Sequence, residues 1–461
     1  MLFFSARTIA IVTSVLICAI LLASSPAFAE IDDYTSGTET VFAHSDTLPW
    51  WLSAQSNTIF QWHPRFHAEY SGPNSLARTS DEAVTEVATL YGGLEISPYL
   101  EAIADFEIGS GSGVSNSSGL GGPTNLDATR DLDGMPYVAR LWYRLVIPLS
   151  DETFTVHRTP LSILTTLPVR RLDIHIGKFA MVDFFDVNSV ANDSHTQFMN
   201  WTVVNNGAYD YAADTRGYTY GGVIDYEDRF FGARFAEALI SRRANGLNLQ
   251  KNLQDAHSEN YEIEVRPELI PRRFTAVRFL AFTNFANMGD YHQAIDLFEA
   301  GKTPVPDITD HRMQNTLKYG FGINAEQEFT DTIRGFVRAG WNEGEHESFN
   351  YTEVNDTVAF GGDIRGTLWN RPQDKFGVAF VGNGLSQRHR QYLSLGGLGF
   401  ALGDGALSYG PEKIMECYYN FPIPIHTGFY GAFDVQYIDN PGFNRARGPV
   451  VIPGMRIHVE L

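Results

Sequence analysis

The chain has 461 residues and carries 54 aspartates and glutamates against 34 lysines and arginines, a formal net charge of −20. That balance excludes nucleic acid as a partner, because phosphate recognition needs basic patches. Charged residues are only 19%, below the ~25% of soluble domains, and after residue 29 no run approaches the roughly 18 consecutive apolar residues of a membrane helix, so a helical membrane crossing is excluded as well.

Residues 1–29 read as an export signal. Arg7 supplies the positive start, Ile9 to Ala23 an apolar core, and Ala27-Phe28-Ala29 a small-residue cleavage site before Glu30. Cleavage there leaves 432 residues with a net charge of −21. Cys18 sits inside the apolar core behind Ile17, where a lipidation signal would want a small residue, so no lipid anchor is expected. Cys417 is then the one remaining cysteine, which rules out an intramolecular disulfide. Residues 30–60 contain Pro49-Trp50-Trp51 and lack sustained alternation; they are expected at the periplasmic mouth or as a partial plug.

From residue 61 to 461 the pattern is two-faced. Leu317, Tyr319, Phe321, Ile323 and Ala325 alternate with Lys318, Gly320, Gly322, Asn324 and Glu326, the period of a strand with one apolar and one polar face. Sixteen such segments are predicted: 61–72, 84–96, 98–108, 137–149, 171–178, 218–228, 230–240, 259–267, 274–284, 316–328, 332–342, 357–368, 375–383, 412–422, 427–437 and 450–461. In the first, Trp62, Phe66, Ala68 and Tyr70 oppose His63, Arg65, His67 and Glu69; in the fourth, Tyr137, Ala139, Leu141, Tyr143, Leu145 and Ile147 oppose Arg140, Trp142 and Arg144; in the last, Met455, Ile457, Val459 and Leu461 oppose Arg456, His458 and Glu460. The seventh and fourteenth alternate poorly, with Glu237 and Glu416 on the wrong side in the simplest register.

The links alternate in length, as the short turns and long loops of a transmembrane antiparallel β-barrel do. Short links fall at Ser97-Pro98, Asp228-Arg229, around Pro271, at Thr330-Asp331, at Asn370-Arg371-Pro372 and at Pro422 to His426. Long links are 109–136, 179–217, 241–258, 285–315, 343–356, 384–411 and 438–449. The exception, 150–170, is long where a short turn is due, so a missed hairpin and an eighteen-strand barrel stay open. An all-β barrel of the outer-membrane porin type is the predicted fold, as one domain. A soluble periplasmic β-sandwich or solenoid would also be acidic and alternating, but no long repeat period is visible and the outward faces are too apolar for water.

A lipid-facing Arg or Lys near the midplane costs about 2–4 kcal/mol, so the polar faces are expected to line the lumen. That makes Arg65, Arg140, Arg144, Arg334, Arg338, Arg365 and Arg456, against Glu69, Glu101, Asp105, Glu107, Glu262, Glu264, Asp363 and Asp434, the candidate pore lining. Opposed guanidinium and carboxylate groups offer paired donors and acceptors to sugar hydroxyls, although such charges can also pair with each other and merely hydrate the wall. Segment 179–217 is the predicted infolded constriction, with Asp183, Asp186, Asn188, Asp193, Asn200, Trp201, Asn205, Asn206, Asp210, Asp214 and Arg216. Trp142 and Trp201 could stack on a pyranose ring, a packing or girdle role being the commoner one for tryptophan.

No catalytic residue, metal site or cofactor is expected. The acidic cluster at 183–193 lacks the order of a calcium loop, the glycine-rich stretch Gly109 to Gly122 lacks the lysine of a phosphate loop and the serine elbow of a hydrolase, and His346-Glu347 is not followed by a second zinc-binding histidine.

Several stretches together resemble the carbohydrate-selective porin family, often called OprB. They are Trp51-Leu52-Ser53-Ala54-Gln55 with His63, Tyr70 to Leu76, Glu107 to Gly111 through Gly119 to Gly122, Gly177-Lys178-Phe179 with Asp183-Phe184-Phe185-Asp186, Asn192-Asp193, Phe198-Met199-Asn200-Trp201, Asp214 to Tyr218, Arg338 to Trp341, Leu395 to Gly399 and Asn440 to Asn444, collinear along the chain. The resemblance implies a sixteen-stranded barrel in the outer membrane of a Gram-negative bacterium for passive uptake of small neutral sugars, with outer-membrane lipid, the barrel-assembly machinery and further copies of the chain as candidate partners. Leu461 departs from the terminal aromatic residue that the assembly machinery usually reads. A general or organic-acid porin is the alternative within transport, and a barrel enzyme the alternative outside it.

Overall fold

A computed structural model describes residues 39–127 and 132–461. The export signal and residues 30–38 lie outside the described residues. Sixteen antiparallel strands close on themselves: β1 (Trp50–His63), β2 (Asp81–Ser97), β3 (Leu100–Gly111), β4 (Tyr137–Pro148), β5 (Arg171–Phe179), β6 (Thr219–Glu227), β7 (Phe231–Ala238), β8 (His257–Val265), β9 (Thr275–Met288), β10 (Met313–Glu328), β11 (Ile333–Asn342), β12 (Asp356–Arg365), β13 (Lys375–Gly384), β14 (Glu412–Pro422), β15 (Phe429–Asp439) and β16 (Val450–Glu460). Each pairs with its neighbours in sequence, and β1 closes the cylinder on β16 through Gln55 to Gln61 against Glu460 to Gly454. Closure leaves no edge strand, as a hydrocarbon surroundings demands. Leu141, Tyr143 and Leu145 of β4 point outward and are exposed, as are Phe321, Ile323, Val337 and Trp341 of β10 and β11.

Fifteen of the predicted strands lie within a few residues of the observed ones; the first does not. β1 starts at Trp50, so the end of segment 30–60 is barrel wall rather than plug. The outward face of β1 holds Ala54, Ser56 and Thr58 in its middle, which blurs the apolar signal, and Pro64, lacking an N–H, stops the strand where the sequence still alternates. Arg65 therefore lies beyond the strand end and is exposed, not in the lumen. Residues 39–48 do lie at the short-turn end: Val41 N donates to Glu460 O at 2.8 Å and Tyr430 Oη to Glu39 O at 3.0 Å.

The 150–170 link contains a hairpin, Thr153–Thr155 paired with Thr166–Pro168, but it forms its own small sheet and the barrel count stays at sixteen. A second correction concerns β4. Asp105 pairs with Arg140 but Phe106 with Val138, so Ala139 is an extra residue in the ladder. Such a bulge flips the alternation beyond it. Tyr137 and Ala139 turn inward, and the Tyr137 hydroxyl bonds to Glu107. Of the two doubtful glutamates, Glu416 faces inward and is fully buried, while Glu237 is on the outward face directly opposite Glu259, near the long-loop rim.

The barrel is not hollow. Segment 180–218, including α1 (Trp201–Val204), fills much of the lumen, where Phe198, Val203 and Val204 pack on inward Phe336, Val381, Ile414 and Tyr418. Over the long-loop end, α2 (Tyr291–Glu299) and α3 (Gln387–Ser394) are capped by Asp290 and Ser386 and meet where the rings of Tyr291 and His389 stack at 4.6 Å.

Candidate solute pathway

The infolded loop is fixed to the wall by carboxylates that accept main-chain N–H groups. Glu262 Oε2 accepts from Asp186 N at 2.8 Å, Glu326 Oε2 from Ser189 N at 2.8 Å, and Glu416 Oε1 from Met199 N at 2.5 Å. Glu412 holds the N–H groups of Gly121, Gly122 and Gly442 in the same way. Hydrogen bonds to charged groups contribute roughly 1.5–3 kcal/mol each, so a sizeable share of the acidic excess is structural. Two ion pairs finish the clamp. Arg338 meets Asp186 at 3.2 Å and donates to Val203 O at 2.6 Å, and Lys318 meets Asp210 at 3.0 Å, all four charged groups being within 2% of full burial. Close approach also requires glycine: a Cβ on Gly340 would sit 1.9 Å from Asn206 Oδ1, and one on Gly322, directly opposite, 2.6 Å from Asn206 Nδ2.

On β3 and β4 the loop leaves side chains partly open to the lumen. Arg140 grips Asp183 with two bonds of 2.8 and 2.7 Å and reaches Asp105 at 3.4 Å, keeping 17% of its side chain exposed. Its guanidinium lies over the ring of Tyr218, and that of Arg216 over Tyr137 at 4.3 Å. Glu107 accepts from both tyrosine hydroxyls, Tyr218 at 3.0 Å. A largely buried bay, open at Arg140, thus joins fixed donors, fixed acceptors and two aromatic rings. Nearby, His195 keeps 31% of its side chain exposed between Asp193 at 3.2 Å and Asp127 at 4.0 Å, and stacks on His458 at 5.8 Å. Burial opposes its charge, but Asp127 and Asp193 push the imidazole up to about 9.

The structure therefore brings Arg140, Asp105, Glu107, Asp183 and Arg216 of the predicted set into one bay. The others are elsewhere. Arg338 and Asp186 are locked in the clamp. Arg144 bonds Glu101 and Asp173 at 3.0 Å each, beneath the 153–168 hairpin. Arg334 pairs with Asp363, and Arg365 is half-buried on the inward face of β12. Trp142 is 2% exposed, packed with Trp51, Tyr91, Ile103 and Ile163, which removes it as a stacking platform in this arrangement. Trp201 stacks on Tyr351 at 5.2 Å and donates Nε1 to Asn125 O at 2.6 Å, at the base of a crevice between long loops.

Sequence reasoning missed the belt at the short-turn half. Arg234 bridges Asp225, Glu227, Glu262 and Glu264 at 2.6–3.1 Å, Arg266 joins Glu227 and Glu264 at 2.6 Å, and Arg278 joins Glu264 and Glu326 at 3.0 and 2.7 Å. The signal was present in the inward Glu262 and Glu264 of β8; the weak alternation of β7 hid Arg234. Tyr137 and Tyr218 were missed because a bulge and a strand start place them.

A family model described as carbohydrate-selective porin, OprB family, matches residues 105–461. Among solved structures, the chain is similar to the high-pH structure of Pseudomonas putida OprB, with a TM-score of 0.67 and 13% identity over 90% of this chain and 94% of that one. It also matches the low-pH structure of the same protein (TM-score 0.46, 11% identity, 90% and 93% covered) and the outer-membrane channel DcaP of Acinetobacter baumannii (0.47, 11%, 89% and 97%). At such identities the likeness concerns the fold alone. A comparison with curated proteins found no match.

Proposed function

Since the chain belongs to the carbohydrate-selective porin, OprB family, and is an outer-membrane porin by family and fold, we propose that it passes small neutral sugars into the periplasm by passive diffusion. The reading rests on the bay of Arg140, Asp105, Asp183 and Glu107 beside the rings of Tyr137 and Tyr218. A sugar presents vicinal hydroxyls and an apolar C–H face, which such a bay can meet with fixed donors, fixed acceptors and a ring. The groups already bond to one another, which leaves few contacts for a solute, and a channel needs weak binding, because a solute held tightly does not leave. The carboxylates around the bay disfavour anions, which sets this reading above an organic-acid porin.

If the short turns face the periplasm, as in bacterial barrels, the 39–48 segment and the hairpin lie on the periplasmic side and the helices outside. Outward leucines, phenylalanines and Trp341 meet lipid, and β16 is the segment the assembly machinery would read; association with further copies is a proposal for cross-linking in native membranes. The deciding experiment uses liposomes holding the purified mature protein. Uncharged mono- and disaccharides should enter faster than organic acids of equal size, and the reverse order would hand the channel to the organic-acid reading.

A further inference from the structure

We propose that the short-turn hairpin Thr153–Pro168 is a second selectivity element, narrowing the lumen from the end opposite the infolded loop; the inference rests on the porin reading above. The other short-turn links, such as 228–230 and 329–332, simply reverse the chain. This one enters the barrel.

The wall beneath it is written for a cover. Trp51 of β1, Tyr91 of β2, Ile103 of β3, and Trp142 and Val146 of β4 all face inward, and each is less than 9% exposed. Large apolar groups on four consecutive strands would be out of place against channel water. Ile163, fully buried, packs on Trp51, Tyr91, Ile103 and Trp142, while Leu164 and Leu167 cover Val146. Glu101, also fully buried, anchors the tip by accepting from Ile163 N at 2.6 Å and Leu164 N at 3.1 Å while paired with Arg144. At the mouth, Arg158 ties the hairpin to the 39–48 segment through Ser45 O at 2.9 Å and Leu48 O at 2.7 Å.

The constriction loop reaches the same apolar cluster, where Phe184 packs beside the group that holds Ile163. Phe184 lies against Trp142 at 5.8 Å and His175 at 4.6 Å, and those two rings are 4.7 Å apart. Along β1 to β5 the lumen is thus occupied from one end by the hairpin and from the other by the loop. A solute that leaves the Arg140 bay then has to pass the hairpin tip. The hairpin then limits solute size independently of the bay. The joint is imperfectly paired: among the described residues, the buried Trp142 Nε1 and His175 Nδ1 have no hydrogen-bond partner.

Two variants of the full mature chain test this in planar bilayers and liposomes. One replaces residues 151–169 by an Asn-Gly turn; the other is Glu101→Ala, which keeps the hairpin and removes its anchor. The first should raise single-channel conductance by about twofold or more, since conductance follows the narrowest section, and admit trisaccharides faster relative to monosaccharides; the second should shift both readouts the same way by less. Heat-modifiable gel mobility identifies folded barrels, and if the turn variant does not fold, Glu101→Ala decides. Parental conductance and size cut-off in folded variants would overturn the hairpin's role. Failure of the unaltered protein to conduct ions or sugars would instead overturn the porin reading.

Discussion

The infolded loop 180–218 and the hairpin 153–168 both leave the barrel wall and turn inward, yet they are held differently. The loop is clamped along β8 to β14 by buried carboxylates on its main-chain N–H groups and by the Arg338–Asp186 and Lys318–Asp210 pairs. The hairpin has an apolar seat, with Glu101 accepting from its tip and Arg158 tying it to Glu95 and to the main chain of Ser45 and Leu48. Charge fixes a segment at one height, because each carboxylate must find its own amides; an apolar seat tolerates small shifts. The comparison marks the loop as the immobile part of the constriction and the hairpin as the adjustable one.

The largest effect should come from the clamp. Arg338→Met strands Asp186 without its partner in a fully buried site, and breaking such a pair costs about 3–5 kcal/mol. The barrel should still form, with a lower unfolding midpoint and new proteolytic cuts between 180 and 218. Unchanged protease resistance would mean that the carboxylate–amide bonds hold the loop without the ion pair.

Ile163→Ala attacks the hairpin's seat. Removing the side chain from a fully buried position costs roughly 2–5 kcal/mol where the surroundings cannot relax, and the hairpin can relax, so the low end is expected. Denaturant midpoints of the two variants give the contrast directly. A loss from Ile163→Ala equal to that from Arg338→Met would erase the distinction between fixed and adjustable parts.

Arg140→Gln should cost less stability than Arg338→Met, because Arg140 keeps 17% of its side chain exposed although its partner Asp105 is fully buried, and should lower sugar flux several-fold, as loss of a net hydrogen bond of about 1 kcal/mol would. Swelling rates with a neutral disaccharide measure it. Flux equal to the parent would remove the bay from the pathway.

The unequal legibility of these parts in the sequence has physical causes. Strands β2 to β16 were readable because lipid outside and water or polar loop inside impose a two-residue period on every one of them. β1 was displaced because small hydroxyl residues at 56 and 58 satisfy the period without announcing it, and Pro64 was read through rather than as a stop. The candidate lining residues differ in role: the alternation that places Arg338, Arg144 and Arg140 inward is the same for all three, but only the three-dimensional path of the loop and hairpin decides that Arg338 is a clamp, Arg144 a strut and Arg140 partly open. Trp142 faces inward as expected and is covered by a hairpin whose link was only seen to be too long. Tyr137 is beyond pattern reading altogether, since one extra residue at Ala139 reverses its side.

His195 gives the smallest effect and the sharpest sign. Burial disfavours its charge, yet Asp127 and Asp193 raise its pKa from 6.5 to about 9, so the imidazolium persists through neutral pH. A pKa raised in the folded state means that its contribution is complete below the ordinary value and is lost as pH climbs through 9. Other charges surround it: Asp127 and Asp193 on the lumen segments, and across the wall His458, itself 2.9 Å from Glu460, with Arg456 close by. Discharging His195, whose side chain is 31% exposed, leaves Asp127 and Asp193 without its compensating charge, so cation preference should rise between about pH 8 and 10. Reversal potentials across a salt gradient read this. In His195→Gln the preference should already be high at pH 7 and flat over that interval. A parental profile flat across the same range would place His195 off the conducting path, on the clamped side of the comparison.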